Sequence, residues 1–423
     1  MPKRRRQFLG LLAAGTTGAI AGCGGDSEGT ATDSNGTEST ESSSGQTGAV
    51  EIQSDIGLDS WPMFGANAAN TRTEPDQTGP TAAPTKSWST TLDTGVSASP
   101  AVVDGVLYVG TSDFGADTGV LRALSATSGQ ELWQVRTARQ VYSSPAVVDD
   151  TVYFGTGRNN DGAGRLYAVS ATDGSKQWQF DVGIELDSSP TVGDGTVYVV
   201  PVDLTIYALD AADGTEQWSL RPGDGATCSP TLVDGTLYTG DRNEALVAVD
   251  AAEGTVQWRS DTDDLVLSAP AVVDGTVYCG TVAGTVYAFD AADGTELWQF
   301  EDPSFAWPSP VVRDGTVYVS EGDRLKDPPE SGRASLYALD AADGSKQWRF
   351  ESGSTFTEPP AVTGDTVYVP DYSGELYGLS AADGTKLWSQ KTGSSFSLVS
   401  PAVADGTVYM GTPNGEIYAL HEP

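Results

Sequence analysis

The residues of this chain that could carry chemistry are few. The 423-residue sequence contains a single histidine, His421, and three cysteines, Cys23, Cys228 and Cys279. One histidine at the end of the chain excludes a histidine-based acid–base or metal site. Cys279 aligns with an apolar column when the chain is compared with itself, which favours a buried free thiol. A disulfide between Cys228 and Cys279 is the alternative.

The carboxylates that recur most regularly are those of a D-A-A-D-G segment, found at 210–214, 290–294 and 340–344. It lacks the alternating oxygen ligands and distal Glu of a calcium loop, and related segments carry Ser125, Ser170 or Glu253 in place of Asp. An Asp before Gly suits a tight turn, because its side chain accepts hydrogen bonds from nearby backbone N–H groups. We therefore interpret the segment as a turn, with occasional ion binding as the alternative, and predict no metal site.

These turns belong to a larger repeat that must position any site. An S-P-A-V-V-D-G-T-V-Y block recurs eight times, with its proline at 100, 145, 190, 230, 270, 310, 360 and 401. Each unit of 40 to 50 residues reads as four short strands separated by turns, without helical periodicity. The spacing predicts an all-β protein, an eight-bladed β-propeller of four-stranded blades.

The last repeat predicts how the ring closes. Seven units end in a tryptophan, at 133, 178, 218, 258, 298, 348 and 388, but the eighth stops at I-Y-A-L-H-E-P without an outer strand. A segment before the first unit, T-K-S-W-S-T-T-L at 85–92, places Trp88 in the missing position. We therefore expect this N-terminal strand to complete the last blade and to remove an open sheet edge.

The unit A-x-D-x-x-D-G-T-x-x-W, as at 208–218, is similar to the tryptophan-docking motif of the PQQ-like β-propeller repeat family. The resemblance covers residues 61–420, and its opening W-P-M-F-G at 61–65 resembles propellers related to the bacterial outer-membrane-protein assembly lipoprotein. It implies that the eight tryptophans pack between blades. The family includes quinoprotein dehydrogenases and non-catalytic lipoproteins that bind proteins, so membership alone does not decide activity.

For a quinoprotein dehydrogenase the resemblance implies PQQ on Ca²⁺, a vicinal cysteine disulfide against the cofactor, and a catalytic Asp. The chain has no Cys-Cys pair and no C-x-x-C-H haem site. We therefore expect no cofactor and no catalytic residue. A PQQ-dependent oxidoreductase of alcohols or sugars is the alternative function.

The candidate binding residues are those that depart from the repeat. Three positions before each proline the residue type varies, and we expect this column to lie on the same rim as the irregular second-to-third strand loops. Irregular loops on a rigid scaffold commonly form binding surfaces. The candidates for the rim are Arg139, Tyr142, Glu185, Asp187, Trp307 and Glu358; neutral drift of loops is the alternative.

The N-terminal residues resemble an export signal. Arg5 and Arg6 resemble a twin-arginine signal, and I-A-G-C ending at Cys23 resembles a lipobox, whose cysteine becomes the lipid attachment point. We expect residues 1–22 to be the signal peptide, 23–57 a lipidated cysteine and disordered tether, and 58–423 the propeller. The tether carries a possible glycosylation sequon at Asn35. These features predict a protein held at the outer face of the cytoplasmic membrane.

The charge balance limits the partners. The chain has 58 acidic and 23 basic residues, a net charge of −35, which disfavours nucleic acid and anionic lipid surfaces. An acidic, lysine-poor surface is typical of proteins from salt-loving organisms, and the signals together suggest an exported lipoprotein of a halophilic archaeon. We predict a monomeric, non-catalytic propeller that binds a protein or cell-envelope partner; a structural or adhesive envelope component is a third possibility.

Overall fold

A computed structural model describes residues 60–68, 70, 78–113, 117–157, 164–302, 309–320, 334–356, 358–392 and 399–423. The structure is an eight-bladed β-propeller, which confirms the fold predicted from the repeats. Each of blades 2 to 7 is built from four sequential antiparallel strands, blade 1 has a short fifth strand, and blade 8 takes one strand from the N-terminal region. No helix in these described ranges is long and apolar enough to cross a membrane.

The strands of the first half of the ring follow the repeat. Before blade 1 comes β1 (Thr85–Thr91). Blades 1 and 2 contain β2 (Gly95–Val96), β3 (Ala101–Val103), β4 (Val106–Asp113), β5 (Thr118–Ser125), β6 (Glu131–Thr137), β7 (Ala146–Val148), β8 (Thr151–Thr156), β9 (Arg165–Ser170) and β10 (Lys176–Asp181). Blades 3 and 4 contain β11 (Thr191–Gly193), β12 (Thr196–Val199), β13 (Ile206–Asp210), β14 (Glu216–Leu220), β15 (Thr231–Val233), β16 (Thr236–Asp241), β17 (Ala245–Asp250) and β18 (Val256–Asp261).

The second half repeats the pattern. Blades 5 and 6 contain β19 (Ala271–Val273), β20 (Thr276–Gly280), β21 (Thr285–Asp290), β22 (Glu296–Glu301), β23 (Val311–Arg313), β24 (Thr316–Ser320), β25 (Ser335–Asp340) and β26 (Lys346–Glu351). Blades 7 and 8 contain β27 (Ala361–Thr363), β28 (Thr366–Pro370), β29 (Glu375–Ser380), β30 (Lys386–Lys391), β31 (Ala402–Ala404), β32 (Thr407–Gly411) and β33 (Glu416–His421).

Two kinds of turn hold each blade. The Asp-Gly pair between the first and second strands has positive φ at both residues, as at Asp274 (49°) and Gly275 (73°), which suits a two-residue hairpin. In the D-A-A-D-G segment, Asp290 Oδ1 accepts from the N–H of Ala292 at 2.8 Å, and Asp293 Oδ1 accepts from that of Thr295 at 2.9 Å. The turn interpretation of this segment is therefore supported by its hydrogen bonds.

The blades are joined by a tyrosine and a tryptophan that share one acceptor. In blade 4, the Trp258 Nε1 donates to the Ala291 carbonyl of blade 5 at 3.0 Å, and the Tyr238 hydroxyl donates to the same oxygen at 3.3 Å. The equivalent indole bond, at 2.8 to 3.0 Å, occurs for Trp88, Trp133, Trp178, Trp218, Trp258, Trp298, Trp348 and Trp388. Each of these indole bonds therefore lies at a contact between neighbouring blades.

The N-terminal strand closes the ring, as predicted. Strand β1 pairs antiparallel with β33 and completes blade 8, and Trp88 reaches the Ala126 carbonyl of blade 1. The segment before β1 adds a second contact that the repeat did not predict. Blade 8 lacks the turn that would receive blade 7, and the Pro80 carbonyl accepts from both Trp388 and Tyr368, at 3.0 and 3.3 Å. Residues 78–91 therefore complete two blade interfaces.

In most blades a serine precedes the repeat proline, and these serines link first strands around the axis. The N–H of Ser99 donates to Ser144 Oγ, Ser144 to Ser189 and Ser189 to Ser229, each at 3.0 to 3.1 Å. Ser400 continues the series to Ser99 at 2.9 Å. Ala269 has no hydroxyl to receive the next bond. The ring of hydrogen bonds is therefore interrupted at blade 5, and again at blade 7, where Pro359 has neither a hydroxyl nor an N–H.

A segment of the chain itself fills the axis beside the interruption at blade 5. Trp61 pairs with Val102 of β3 on the edge opposite β4, so it lies inside the ring. The Pro62 and Ala68 carbonyls accept from the N–H groups of Val147 in blade 2 and Leu232 in blade 4. Further on, Asn70 Nδ2 donates to the carbonyls of Ala269 and Pro270 at 2.9 and 3.0 Å. We call residues 60–68 and 70 the axial segment.

Candidate functional site

The upper rim carries the links between blades together with the second-to-third strand turns. Five of these turns are each braced to the neighbouring link by one backbone hydrogen bond of 2.8 to 3.1 Å. The donor N–H and acceptor carbonyl pairs are Gly157 and Gln140, Val202 and Glu185, Arg242 and Gly225, Val282 and Leu265, and Tyr372 and Thr355. These bonds make the described rim a fixed surface.

Four of the candidate rim residues lie in neighbouring links. Arg139 and Tyr142 follow β6, between blades 1 and 2, and Glu185 and Asp187 follow β10, between blades 2 and 3. Tyr142 and Glu185 are half-buried and Asp187 is exposed. The structure thus places a tyrosine and two carboxylates on adjacent parts of one rim.

The other two candidates differ. Glu358 lies on the far side of the ring, and only 7% of its surface is exposed, with Oε2 3.5 Å from Ser400 Oγ. A carboxylate this buried does not offer an exposed contact, so it belongs to the packing between blades 7 and 8. Trp307 falls outside the described residues, and its place on the rim stays a prediction.

The variable column has a packing role in two blades. The hydroxyls of Ser97 and Thr227 donate to the carbonyls of Val141 and Val266 in the next link, at 2.6 and 2.5 Å. The residues that vary at this column therefore include some that pack against the next link and some that face solvent. Among the described members of this column, its use as a sign of binding holds best for Asp187, which is exposed.

The turn of blade 3 is a rim feature that the sequence comparison missed. Val202 is 41% exposed, and the other exposed large hydrophobic residues of the described chain, Val256, Leu297 and Leu387, lie on outer strands. Leu204 has φ of +69°, a left-handed conformation that costs a leucine about 1–2 kcal/mol. The sequence alone could have shown that this turn is unusual, because the equivalent positions in blades 5, 7 and 8 are Gly284, Gly374 and Gly415.

Hydrogen bonds hold this strained turn in place. The Leu204 N–H donates to Pro201 O at 2.9 Å, and its carbonyl accepts from Ala226 N–H at 2.8 Å. Asp203 accepts from Thr205 N–H at 2.9 Å and from the Tyr207 hydroxyl at 3.1 Å. Burial, followed by the nearby Asp203 carboxylate, raises the pKa of Tyr207, so this hydroxyl stays a donor at neutral pH.

The groups most able to react are unsuited to catalysis where they lie. Cys228 and Cys279 are buried free thiols, and burial raises the pKa of both, which disfavours the nucleophilic thiolate. His421 Nδ1 lies on the lower face, 3.1 Å from Gly406 O and 3.2 Å from Thr407 Oγ1. The burial of the two cysteines and the contacts of His421 therefore indicate structural roles for these three residues.

A PQQ–calcium site would require a cluster of metal ligands beside a cavity that holds the cofactor. Within the described residues, no group of three or more His, Cys, Asp or Glu side chains is placed to hold a metal ion. A pocket beside the axial segment, lined by Phe64, Asn70, Ser189, Thr191 and Ser229 among others, has room for about one water molecule. It is far too small for a tricyclic quinone.

The fold and motifs define a PQQ-like repeat propeller. The family model described as outer membrane protein assembly factor BamB matches residues 116–230, 220–326 and 303–422. The chain therefore belongs to this family of repeat propellers. A comparison with curated proteins finds no significant match.

Solved structures agree on the fold. BamB from Moraxella catarrhalis is 18% identical, with a TM-score of 0.65 over 80% of this chain and 98% of that one. Quinohemoprotein alcohol dehydrogenase from Comamonas testosteroni is also 18% identical, with a TM-score of 0.68 over 86% and 80%. A europium-containing methanol dehydrogenase is 14% identical, with a TM-score of 0.65 over 86% and 98%. Identities this low support a shared architecture and leave activity undecided.

Proposed function

We propose that this chain is a membrane-tethered, externally displayed propeller that binds a protein partner through its upper rim without catalysing a reaction. The main observation behind the proposal is that the axial segment lies inside the ring. Side chains from all blades converge there, which makes it the natural cavity for a small ligand. In this chain the axial segment lies across the first strands of blades 1, 2, 4 and 5.

The rim supplies the properties that protein recognition needs. Its turns are braced by backbone hydrogen bonds, so little conformational entropy is lost when a partner docks. It also carries the departures from the repeat, including Tyr142 and Asp187, whereas the lower face repeats Asp-Gly turns. The family model that the chain matches is described as an outer membrane protein assembly factor, and that description supports a protein partner.

The membrane attachment rests on the sequence alone. Lipid on Cys23 and a flexible tether through residue 57 would hold the propeller near the outer face of the cytoplasmic membrane. Replacement of Cys23 by Ser should release the folded protein into the medium. Membrane fractionation of cells expressing the two forms would test this, and a variant that stays in the membrane pellet would refute lipid anchoring.

Photo-crosslinking in cells tests the rim. A photoreactive amino acid at Tyr142 should give a discrete protein adduct, whereas the same group at Glu253, exposed on the lower face, should not. Tyr142→Ala and Tyr372→Ala are matched variants, because each removes a half-buried rim tyrosine, on different sides of the ring. Partner binding should be weakened by Tyr142→Ala and not by its control, Tyr372→Ala. Equal adducts at both crosslinker positions would count against a rim-specific partner.

The enzymatic alternative has its own measurement. Calorimetric titration of the purified protein with PQQ and Ca²⁺ in high salt should show no tight binding, and a dye-linked assay with alcohols and sugars should show no turnover. Tight binding with turnover would replace this proposal with a quinoprotein oxidoreductase.

A further inference from the structure

The blade 3 turn has the left-handed backbone of its sister turns but carries aliphatic residues, whereas blade 4 carries Arg242 and Glu244, the latter at φ of +59°. Val202 is 41% exposed, and two residues later Leu204 adopts φ of +69°, where blades 5, 7 and 8 place glycine. Glycine is available at no conformational cost, so a leucine held there needs another explanation. Backbone strain that the surroundings maintain tends to occur at functional sites.

The turn shares its surface with both neighbouring links. The Val202 N–H donates to Glu185 O at 3.0 Å, next to half-buried Ile184. On the other side Leu204 packs over Gly225, where an added Cβ would lie 2.3 Å from the Leu204 Cβ. The braces fix Val202 and Leu204 at the rim, with Ile184 one residue before the bonded Glu185, and we call these three residues the blade 3 patch.

Carboxylates flank this patch. Glu185 and Asp187 come from the link before it, and exposed Asp224 from the link after it. The nearby exposed Arg221 is engaged with backbone, since its guanidinium donates to the carbonyls of Asp203 and Asp224 at 2.7 and 3.1 Å. The edge of the patch is thus acidic, in a chain whose net charge is −35.

We propose that the blade 3 patch is the contact point for a protein partner that presents an aliphatic or aromatic side chain beside a lysine or arginine. The apolar side chain would lie against Val202 and Leu204, and the cation beside Glu185 and Asp187. This inference rests on the proposed function, because it names the part of the rim that binds and the chemistry of the partner. Charge complementarity selects a basic segment, and the apolar patch supplies contact that salt does not screen.

The test uses a library of displayed random dodecapeptides, selected on the full mature chain held by its tether. Enriched peptides should carry an apolar residue next to Lys or Arg. Val202→Asp should weaken their binding at least tenfold. The matched control Val256→Asp changes a 46% exposed valine on β18 and should bind as the parent does. Equal binding by the two variants would overturn the inference.

A second variant separates recognition from packing. Leu204→Gly removes the strain, so it should keep or raise the thermal midpoint while it weakens peptide binding at least threefold. A lowered midpoint with unchanged binding would show that Leu204 serves the fold alone. The pair Glu185→Gln and Asp187→Asn should weaken binding and flatten its salt dependence; an unchanged salt dependence would refute the basic partner.

Other binding partners of the blade 3 patch would give different experimental results. Self-association or binding to lipid vesicles that Val202→Asp abolishes would overturn the protein-segment proposal. Rim crosslinks at Tyr142 that survive Val202→Asp would leave the proposed function standing and the blade 3 patch refuted. Absence of crosslinks together with PQQ turnover would refute both.

Discussion

At the scale of single residues, the D-A-A-D-G turn has two structural roles. Its aspartates bond backbone N–H groups of the turn, and its glycine lies against the tryptophan of the preceding blade. At Gly294, φ is +74° and an added Cβ would lie 2.6 Å from the Trp258 ring. One glycine thus satisfies both a left-handed turn and a close blade contact.

The two effects can be separated by paired substitutions. Gly275→Ala changes a glycine at φ +73° with nothing within 4 Å of the new Cβ, so the added backbone strain alone should lower the stability, by roughly 1 kcal/mol. Gly294→Ala should cost about 1–3 kcal/mol more, because the Cβ overpacks against Trp258. Chemical denaturation of both variants measures the difference; equal losses would mean that the tryptophan contact is readily relieved.

The turn aspartates also predict a pH dependence. The Thr295 side chain and N–H lower the pKa of Asp293, so its contribution to stability is present above the ordinary Asp pKa and is lost as pH falls through the lowered value. Asp293→Ala should therefore lower the thermal midpoint at neutral pH, by an amount that shrinks in acid. Glu296→Gln, on the adjoining outer strand, is the control and should show no such trend. A pH-independent difference for Asp293→Ala would contradict the linkage.

At the scale of elements, the sequence was most informative where it repeats. Eight copies of one unit reveal the blades, and the missing outer strand of the last unit locates its substitute at Trp88. Pro80 and the axial segment occur once, so comparison within the chain offers nothing to align them with. Their contacts depend on strands brought together only by closure of the ring.

The candidate site was harder to predict for a related reason. A varied residue in a repeat can face solvent, as Asp187 does, or serve packing, as Ser97 and Glu358 do. Only the fold distinguishes the two cases. The blade 3 turn was detectable from Leu204 aligned against three glycines, a comparison of turns instead of strands.

The closing strand gives the prediction at this scale. Deletion of residues 2–92 removes β1, the Trp88 contact and the Pro80 carbonyl, so it exposes the β33 edge and opens two blade interfaces. The thermal midpoint should fall sharply and aggregation should increase. Deletion of residues 2–77, which removes the axial segment but keeps these contacts, is the control. Matching melting curves for the two truncations would refute closure by β1.

At the scale of the whole molecule, charge opposes the fold. A net charge of −35 is spread over a chain with 23 basic residues, so repulsion between carboxylates favours expansion at low salt. Blade contacts are mostly apolar or neutral hydrogen bonds, which salt does not screen. Stability should therefore increase as ionic strength rises.

Thermal melts across a KCl series test this balance. The midpoint should rise most steeply below about 1 M, where the Debye length shortens to roughly 3 Å and the carboxylates cease to sense one another. A triple variant, Glu216→Gln, Glu253→Gln and Glu296→Gln, removes three exposed charges outside the rim. It should melt higher than the parent at low salt and converge with it at high salt, because the same repulsion is removed by either route. A parent midpoint that stays flat or falls with KCl would show that repulsion between carboxylates does not limit this propeller.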